Sequence, residues 1–164
     1  MKKWFGAVLA VVILALVGFI VLGENRASAP QFAVKNLQGN QVDNSRLQGK
    51  VTLLNFWYPS CPGCVSEMPK LIKMAQDYQG KDFQILAVAV PIDPLPTVQT
   101  YVQQRALPFD VMFDENRAVT QAFVKRELYP TSLLINKRGE ILQTFVGEPN
   151  FTDLYQTVDK ELAK

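Results

Sequence analysis

Hydrophobic positions in this chain fall into blocks of different period. Val51 to Trp57 is almost continuously apolar, and so is Phe83 to Val90. Runs of that length without polar alternation predict strands buried on both faces, as in a parallel sheet. Between them Val65, Met68, Ile72 and Ala75 recur at helical spacing, and Thr97 to Arg105 repeats the pattern with Val98, Tyr101 and Val102 facing inward. Val111 to Phe113 predicts a short strand and Asn116 to Val124 a short helix. Thr131 to Ile135 and Ile141 to Val146 read as strands joined by the turn residues Asn136-Lys137-Arg138-Gly139. Phe151, Leu154, Tyr155, Val158 and Leu162 make one face of a last helix, with Asn150 placed to cap it. Upstream, Gly39-Asn40 between short apolar runs predicts a hairpin within Gln31 to Val42. The order β-α-β-α-β-α-β-β-α describes an α/β domain with a central sheet and helices on both faces.

The first block differs from all of these. Trp4 to Leu22 is uncharged and mostly apolar, and its run of about 19 positions would span roughly 28 Å as a helix, close to the thickness of a bilayer core. Lys2 and Lys3 precede it, while Glu24 and Arg26 follow and cancel. The positive-inside rule then keeps the N-terminus in the cytoplasm and exports the rest. A cleavable signal peptide is the rival reading, because Ala27-Ser28-Ala29 resembles a cleavage site. The apolar run is long for a signal peptide, however, and Pro30 would follow the cut, so an uncleaved anchor is expected. No cysteine stands near the end of the run, which excludes lipoprotein processing. Residues 1–29 are thus expected to form a membrane anchor and linker, and residues 30–164 one compact domain.

Composition narrows the chemistry. Basic and acidic residues beyond position 26 balance, so nothing points to nucleic acid as a partner. The chain has two cysteines and no histidine. Ser-His-Asp and Cys-His catalysis are therefore excluded, and one chain lacks the four ligands of a structural zinc site. Val65 after the second cysteine excludes covalent haem attachment. The cysteines stand as Cys61-Pro62-Gly63-Cys64, between a predicted buried strand and a predicted helix. Pro62 suits the first helical position if Cys61 is the N-cap; Pro69, further in, should kink the helix. Unpaired N–H groups and the positive end of the helix dipole favour a thiolate at Cys61. A redox-active dithiol is built this way; a purely structural disulfide, or two buried thiols, is the plain alternative. In an exported, oxidising compartment the pair will be a disulfide unless something reduces it.

The element order resembles the thioredoxin fold. More narrowly, the chain resembles the membrane-anchored TlpA/ResA-like thiol-disulfide oxidoreductases of bacteria. The residues that carry this are Leu47-Gln48-Gly49-Lys50-Val51, Asn55-Phe56-Trp57, Cys61-Pro62-Gly63-Cys64, Glu67-Met68-Pro69 and Tyr129-Pro130-Thr131. The resemblance covers roughly residues 31–164 and places an extra β-α unit at about Val90 to Arg105.

The resemblance implies that Cys61 attacks a client disulfide and that Cys64 resolves the mixed disulfide, with Cys61 at the exposed helix start and Cys64 more covered. It makes Pro130 a cis-proline facing the dithiol, where the backbone of Tyr129 could pair with an extended client segment. Tyr129 is bulky for its position, and it is read as a specificity element or as packing. Pro62 and Gly63 shape the loop, and Gly63 offers no Cβ to crowd an incoming sulfur. Glu67 either favours the helix dipole from an exposed site or, as the resemblance implies, assists proton movement on Cys64. Trp57 belongs either to the substrate surface or to the core. Two positions depart from related patterns: Asn55 stands where thioredoxins themselves carry a buried aspartate, and Tyr58-Pro59-Ser60 replaces the family's Ala-x-Trp before the first cysteine.

The implied protein is a single-pass protein of the bacterial cytoplasmic membrane with its C-terminal domain on the extracytoplasmic side. It needs no cofactor beyond the Cys61–Cys64 pair. By the resemblance it takes electrons from a membrane-spanning thiol carrier and passes them to client disulfides, as in cytochrome c maturation. Rival readings are a thiol oxidase, a thiol peroxidase and a Cu(I)-binding module using the same thiolates. Tyr58 stands where a peroxidase motif needs Thr or Ser, and no Met or His flanks the pair to help hold copper.

Overall fold

The computed structural model describes residues 26–164. The apolar stretch from Trp4 to Leu22, and with it the anchor expected there, lies outside the described residues. Among the described residues no helix is long and apolar enough to cross a membrane.

The elements follow the predicted order: β1 (Ala33–Lys35), β2 (Gln41–Asp43), a 3-10 turn (Asn44–Leu47), β3 (Val51–Trp57), α1 (Pro62–Asp77), β4 (Phe83–Ala89), α2 (Leu95–Arg105), β5 (Asp110–Phe113), α3 (Ala118–Phe123), β6 (Thr131–Ile135), β7 (Ile141–Val146) and α4 (Phe151–Leu162). β1 and β2 form the expected hairpin. The other five strands make one mixed sheet in the order β5-β4-β3-β6-β7. β3 lies parallel to β4 and antiparallel to β6, which leaves it in the centre. Its burial on both faces is why its sequence lacks polar alternation.

Two apolar layers flank the sheet. Val51, Leu53 and Trp57 of β3 point to the side covered by α1, α2 and α4, with Met68, Leu71, Val98, Leu154 and Val158. Leu54 and Phe56 point to the other side, against Phe32, Val42, Leu47, Val119 and Phe123. The side chain of residue 55 follows the odd-numbered set, so Asn55 lies beneath α1.

Three expectations are corrected. The buried stripe of α1 is Cys64, Glu67, Met68, Leu71 and Met74, with Val65, Ile72 and Ala75 only half-buried. The inward face is rotated by about one residue from the apolar periodicity, because a cysteine and a glutamate occupy it. The unit expected at Val90 to Arg105 is a loop and a helix, and the strand that follows it, β5, forms the sheet's edge. Finally, the linker expected to run to residue 29 is fastened to the domain at Ala27 to Ala29. The Ile141 amide donates to the Ala27 carbonyl at 2.8 Å, the Ala29 amide donates to the Gly139 carbonyl at 2.8 Å, and Ala29 is buried. Helix α1 runs through Pro69 as one element.

Candidate active site

The site forms at the end of the sheet where β3 and β4 finish and β6 begins. Cys61 is the N-cap of α1 in an extended conformation, with Pro62 opening the helix as expected. Its Sγ accepts a hydrogen bond from the Cys64 amide at 3.2 Å. The two cysteines are joined by a disulfide, with their Cα atoms 5.2 Å apart. Both are covered, Cys61 at 3 % exposure and Cys64 at 1 %, so in the disulfide state Cys61 is less accessible than its place at a helix start suggested. Pro62 and Gly63 are the exposed residues of the loop.

The Tyr129–Pro130 peptide bond is cis, and Pro130 lies directly against the dithiol loop. A Cβ built on Gly63 would approach Pro130 Cδ to 3.2 Å. The structural demand at Gly63 is therefore close passage beside this proline. Tyr129 is half-buried, its ring edge-to-face with that of Tyr58 at 5.7 Å between centroids. Its hydroxyl faces the Arg117 guanidinium, while burial raises its pKa. The Tyr58-Pro59-Ser60 substitution thus places one ring of an aromatic pair that ties the Cys61 loop to the Pro130 loop.

Trp57 is fully buried against Tyr101, with ring centroids 5.1 Å apart. That corrects its assignment to the substrate surface, since the last residue of a central strand is roofed by α1 and α2. Glu67 is corrected in the other direction. It sits three residues after Cys64 on the same helix face and is only 1 % exposed, so an exposed dipole partner it is not. Burial pushes its pKa from the usual 4.5 up to about 8, with the negative charge of Glu148 adding to the shift and Lys70 opposing it. Lys70 and Glu148 pair with each other above it. Asn55 Nδ2 donates to Ser132 Oγ at 2.9 Å and lies 3.4 Å from Glu67 Oε1. Asn55 and Ser132 face each other because β3 and β6 pair in that register. The buried carboxyl beneath the dithiol thus comes from the helix, where thioredoxins themselves take it from the strand.

One anchoring residue went unseen in the sequence. The Ser60 amide, next to Cys61, donates to Asp93 Oδ2 at 2.7 Å. Asp93 lies in the Pro-rich loop after β4, and the only hint was that such a loop must end beside the loop after a parallel neighbour. Exposed apolar side chains surround the same end of the sheet: Ile92 and Leu95 after β4, Leu128 before Pro130, and Val146 at the end of β7.

Comparison with known proteins agrees with this geometry. The Redoxin family model matches residues 24–158. The thiol-disulfide oxidoreductase ResA of Halalkalibacterium halodurans is 36 % identical over 119 residues, covering 73 % of this chain and 66 % of the relative. ResA of Geobacillus kaustophilus is 32 % identical over 128 residues, covering 78 % and 72 %. Among solved structures, a Neisseria meningitidis protein described as a thioredoxin is 57 % identical with a TM-score of 0.79, covering 84 % of this chain and 92 % of that one. A Chlorobium tepidum protein described as a thiol:disulfide interchange protein DsbE is 28 % identical with a TM-score of 0.75, covering 84 % and 96 %. The dithiol at the N-terminus of α1, the facing cis-proline and these relatives converge: the chain belongs to the Redoxin family, among its TlpA/ResA-like thiol-disulfide oxidoreductases, with Cys61 and Cys64 as the C-x-x-C pair.

Proposed function

We propose that this protein is an exported, membrane-tethered reductant of client protein disulfides. The observation that carries the dithiol chemistry is Cys61 Sγ at the N-cap of α1, accepting the Cys64 amide hydrogen bond. In the reduced protein the same amide and the helix dipole stabilise a Cys61 thiolate. That thiolate attacks one sulfur of a client disulfide. A Cys61–client bond forms, and the other client sulfur leaves as a thiolate. Cys64 then gives up its proton and attacks Cys61 Sγ; the second client sulfur leaves, and two electrons have passed to the client. Glu67, on the Cys64 face of α1, is suited to exchange that proton because burial raises its carboxyl pKa to about 8.

Client recognition is assigned to the loops around the dithiol. Backbone at Tyr129 can pair with an extended client segment, and Ile92, Leu95, Leu128 and Val146 offer apolar contacts beside it. The Tyr58–Tyr129 pair sets the width of the approach. Electrons return to the pair from a membrane-spanning thiol carrier, on the extracytoplasmic side of the bacterial cytoplasmic membrane. Apocytochrome c and other exported thiol proteins are the clients this reading favours. The apolar N-terminal stretch and the naming of its relatives as ResA and DsbE support it.

The test combines a trap with a potential. A Cys64→Ala variant of the full chain, expressed in its own compartment, should accumulate clients as mixed disulfides on Cys61; no trapped client overturns the exchange reading. The Cys61–Cys64 potential, equilibrated against glutathione, should fall near thioredoxin's, about −270 mV, and a value near about −120 mV would reverse the direction to oxidase.

A further inference from the structure

Asn55 and Glu67 leave a pair of atoms unaccounted for. Asn55 is fully buried in the central strand and Glu67 almost fully buried in α1. Asn55 Nδ2 lies 3.4 Å from Glu67 Oε1. The remaining oxygen of each side chain, Asn55 Oδ1 and Glu67 Oε2, is buried without a hydrogen-bond donor. Two buried acceptors without donors are costly, at roughly 1–3 kcal/mol each, and buried polar groups in folded proteins are nearly always satisfied.

A primary amide and a neutral carboxylic acid solve this together. The amide N–H donates to one acid oxygen, and the acid O–H donates back to the amide oxygen, closing a ring of two hydrogen bonds. The four atoms needed are the two in contact and the two left over. A carboxylate cannot close the ring, because it has no proton to return. We propose that Asn55 and Glu67 form this acid–amide pair in the disulfide state, with the proton on Glu67 Oε2 and Asn55 as the positioning residue that holds it. The inference rests on the oxidoreductase reading for its use, since it supplies a neutral acid beneath Cys64, but not for its test.

Asn55 is suited to the task where an aspartate is not. A second carboxyl in its place would share the site with Glu67, and one of the two would carry the charge or both would compete for one proton. Ser132 Oγ accepts the other amide hydrogen and fixes the plane of Asn55 from β6. The groups that act on Glu67 among the described residues are Asn55 from β3, Lys70 from its own helix and Glu148 from the loop after β7, with Cys64 one turn earlier on α1. Raising of the Glu67 pKa by burial works in the same sense.

The experiment is infrared spectroscopy of the full chain in its disulfide form near pH 6. A protonated-carboxyl C=O band should be present and vanish in Glu67→Gln. In Asn55→Leu, similar in size but without donor or acceptor, the band should persist and shift to higher frequency, because its carbonyl loses the amide donor. A merely structural Asn55 would not move that band. Should Asn55→Leu fail to fold, the unaltered protein compared with Glu67→Gln still decides. The Asn55 side-chain amide resonances should shift with pH at the midpoint where the band fades, and lose that shift in Glu67→Gln. Absence of a Glu67 acid band near pH 6, a band unmoved by Asn55→Leu, or amide resonances indifferent to pH each overturns the pair. None of these readouts involves turnover, so they fail separately from client trapping.

Discussion

Glu67 is the residue whose environment departs furthest from its sequence context, and the departure has a measurable consequence for stability. Its folded pKa is raised from 4.5 to about 8, so between those values the native state holds a proton that the unfolded chain has released. Stability from this group is therefore present below about pH 4.5 and is lost as pH rises towards 8, with a slope of at most about 1.4 kcal/mol per pH unit. Glu67→Gln should flatten that slope in denaturant titrations of the disulfide form run across this window; an unchanged slope would mean Glu67 is ionised throughout. Gly63 makes a second residue-scale prediction. Helix propensity alone favours Gly63→Ala by up to about 1 kcal/mol. The new Cβ, however, meets a proline ring at 3.2 Å, and a ring yields less than a flexible side chain. The substitution should bring no gain in melting temperature and should slow insulin-disulfide reduction several-fold, about 1 kcal/mol in the barrier. A stabilised variant of full activity would show that the Pro130 loop gives way freely. Neither position was fully legible in the sequence. Apolar periodicity leaves a glutamate off the buried face, and the neighbour that Gly63 must clear comes from far along the chain.

At the scale of elements, the loops that frame the dithiol are tied to one another by polar contacts as well as by the Tyr58–Tyr129 pair. Asp93 holds the Ser60 amide at 2.7 Å, and Lys70 of α1 pairs with Glu148 after β7. The Asp93 contact is charge-assisted but partly solvated, so Asp93→Ala should cost about 1 kcal/mol. Its signature is local: faster amide hydrogen exchange at Ser60 and Cys61, with α4 unaffected. Asp93→Asn keeps an acceptor and should restore most of the protection; equal loss in both variants would assign the effect to charge alone. Strand bounds at Val51 to Trp57, Thr131 to Ile135 and Ile141 to Val146 were readable because long apolar blocks ended by turn residues leave little freedom. The cap of α4 by Asn150, which accepts from the Thr152 amide at 3.0 Å, was readable for the same local reason. Contacts such as Asp93 with Ser60 join exposed polar loops, and an isolated Asp between prolines carries no pattern that names its partner.

For the whole molecule, the N-terminal segment works as a strap along one side of the sheet. Ala27 to Ala29 pairs with the β6–β7 turn, and at the other edge the Leu37 amide donates to the Val111 carbonyl of β5 at 2.8 Å. Phe32 between them packs on Phe123, ring centroids 5.6 Å apart. A domain begun at residue 30 should therefore be less stable than one begun at residue 26, by about 2 kcal/mol for two backbone hydrogen bonds and a buried alanine. Equal denaturation midpoints for the two would return Ala27 to Ala29 to the role of linker.

The sequence by itself determined the α/β class, the order of elements, the C-x-x-C pair at a helix start and the chemistry open to a chain with two cysteines and no histidine. Those properties are local or compositional: they depend on spacing within one segment or on which side chains exist at all. Only the tertiary structure decided that both cysteines are covered, that Trp57 belongs to the core, and that Glu67 meets Asn55 in the interior beneath the dithiol. Each of these depends on which residue of one element comes to rest on which residue of another. That is set by strand register and helix rotation, and a rotation of α1 by one residue separates an exposed Glu67 from a buried one.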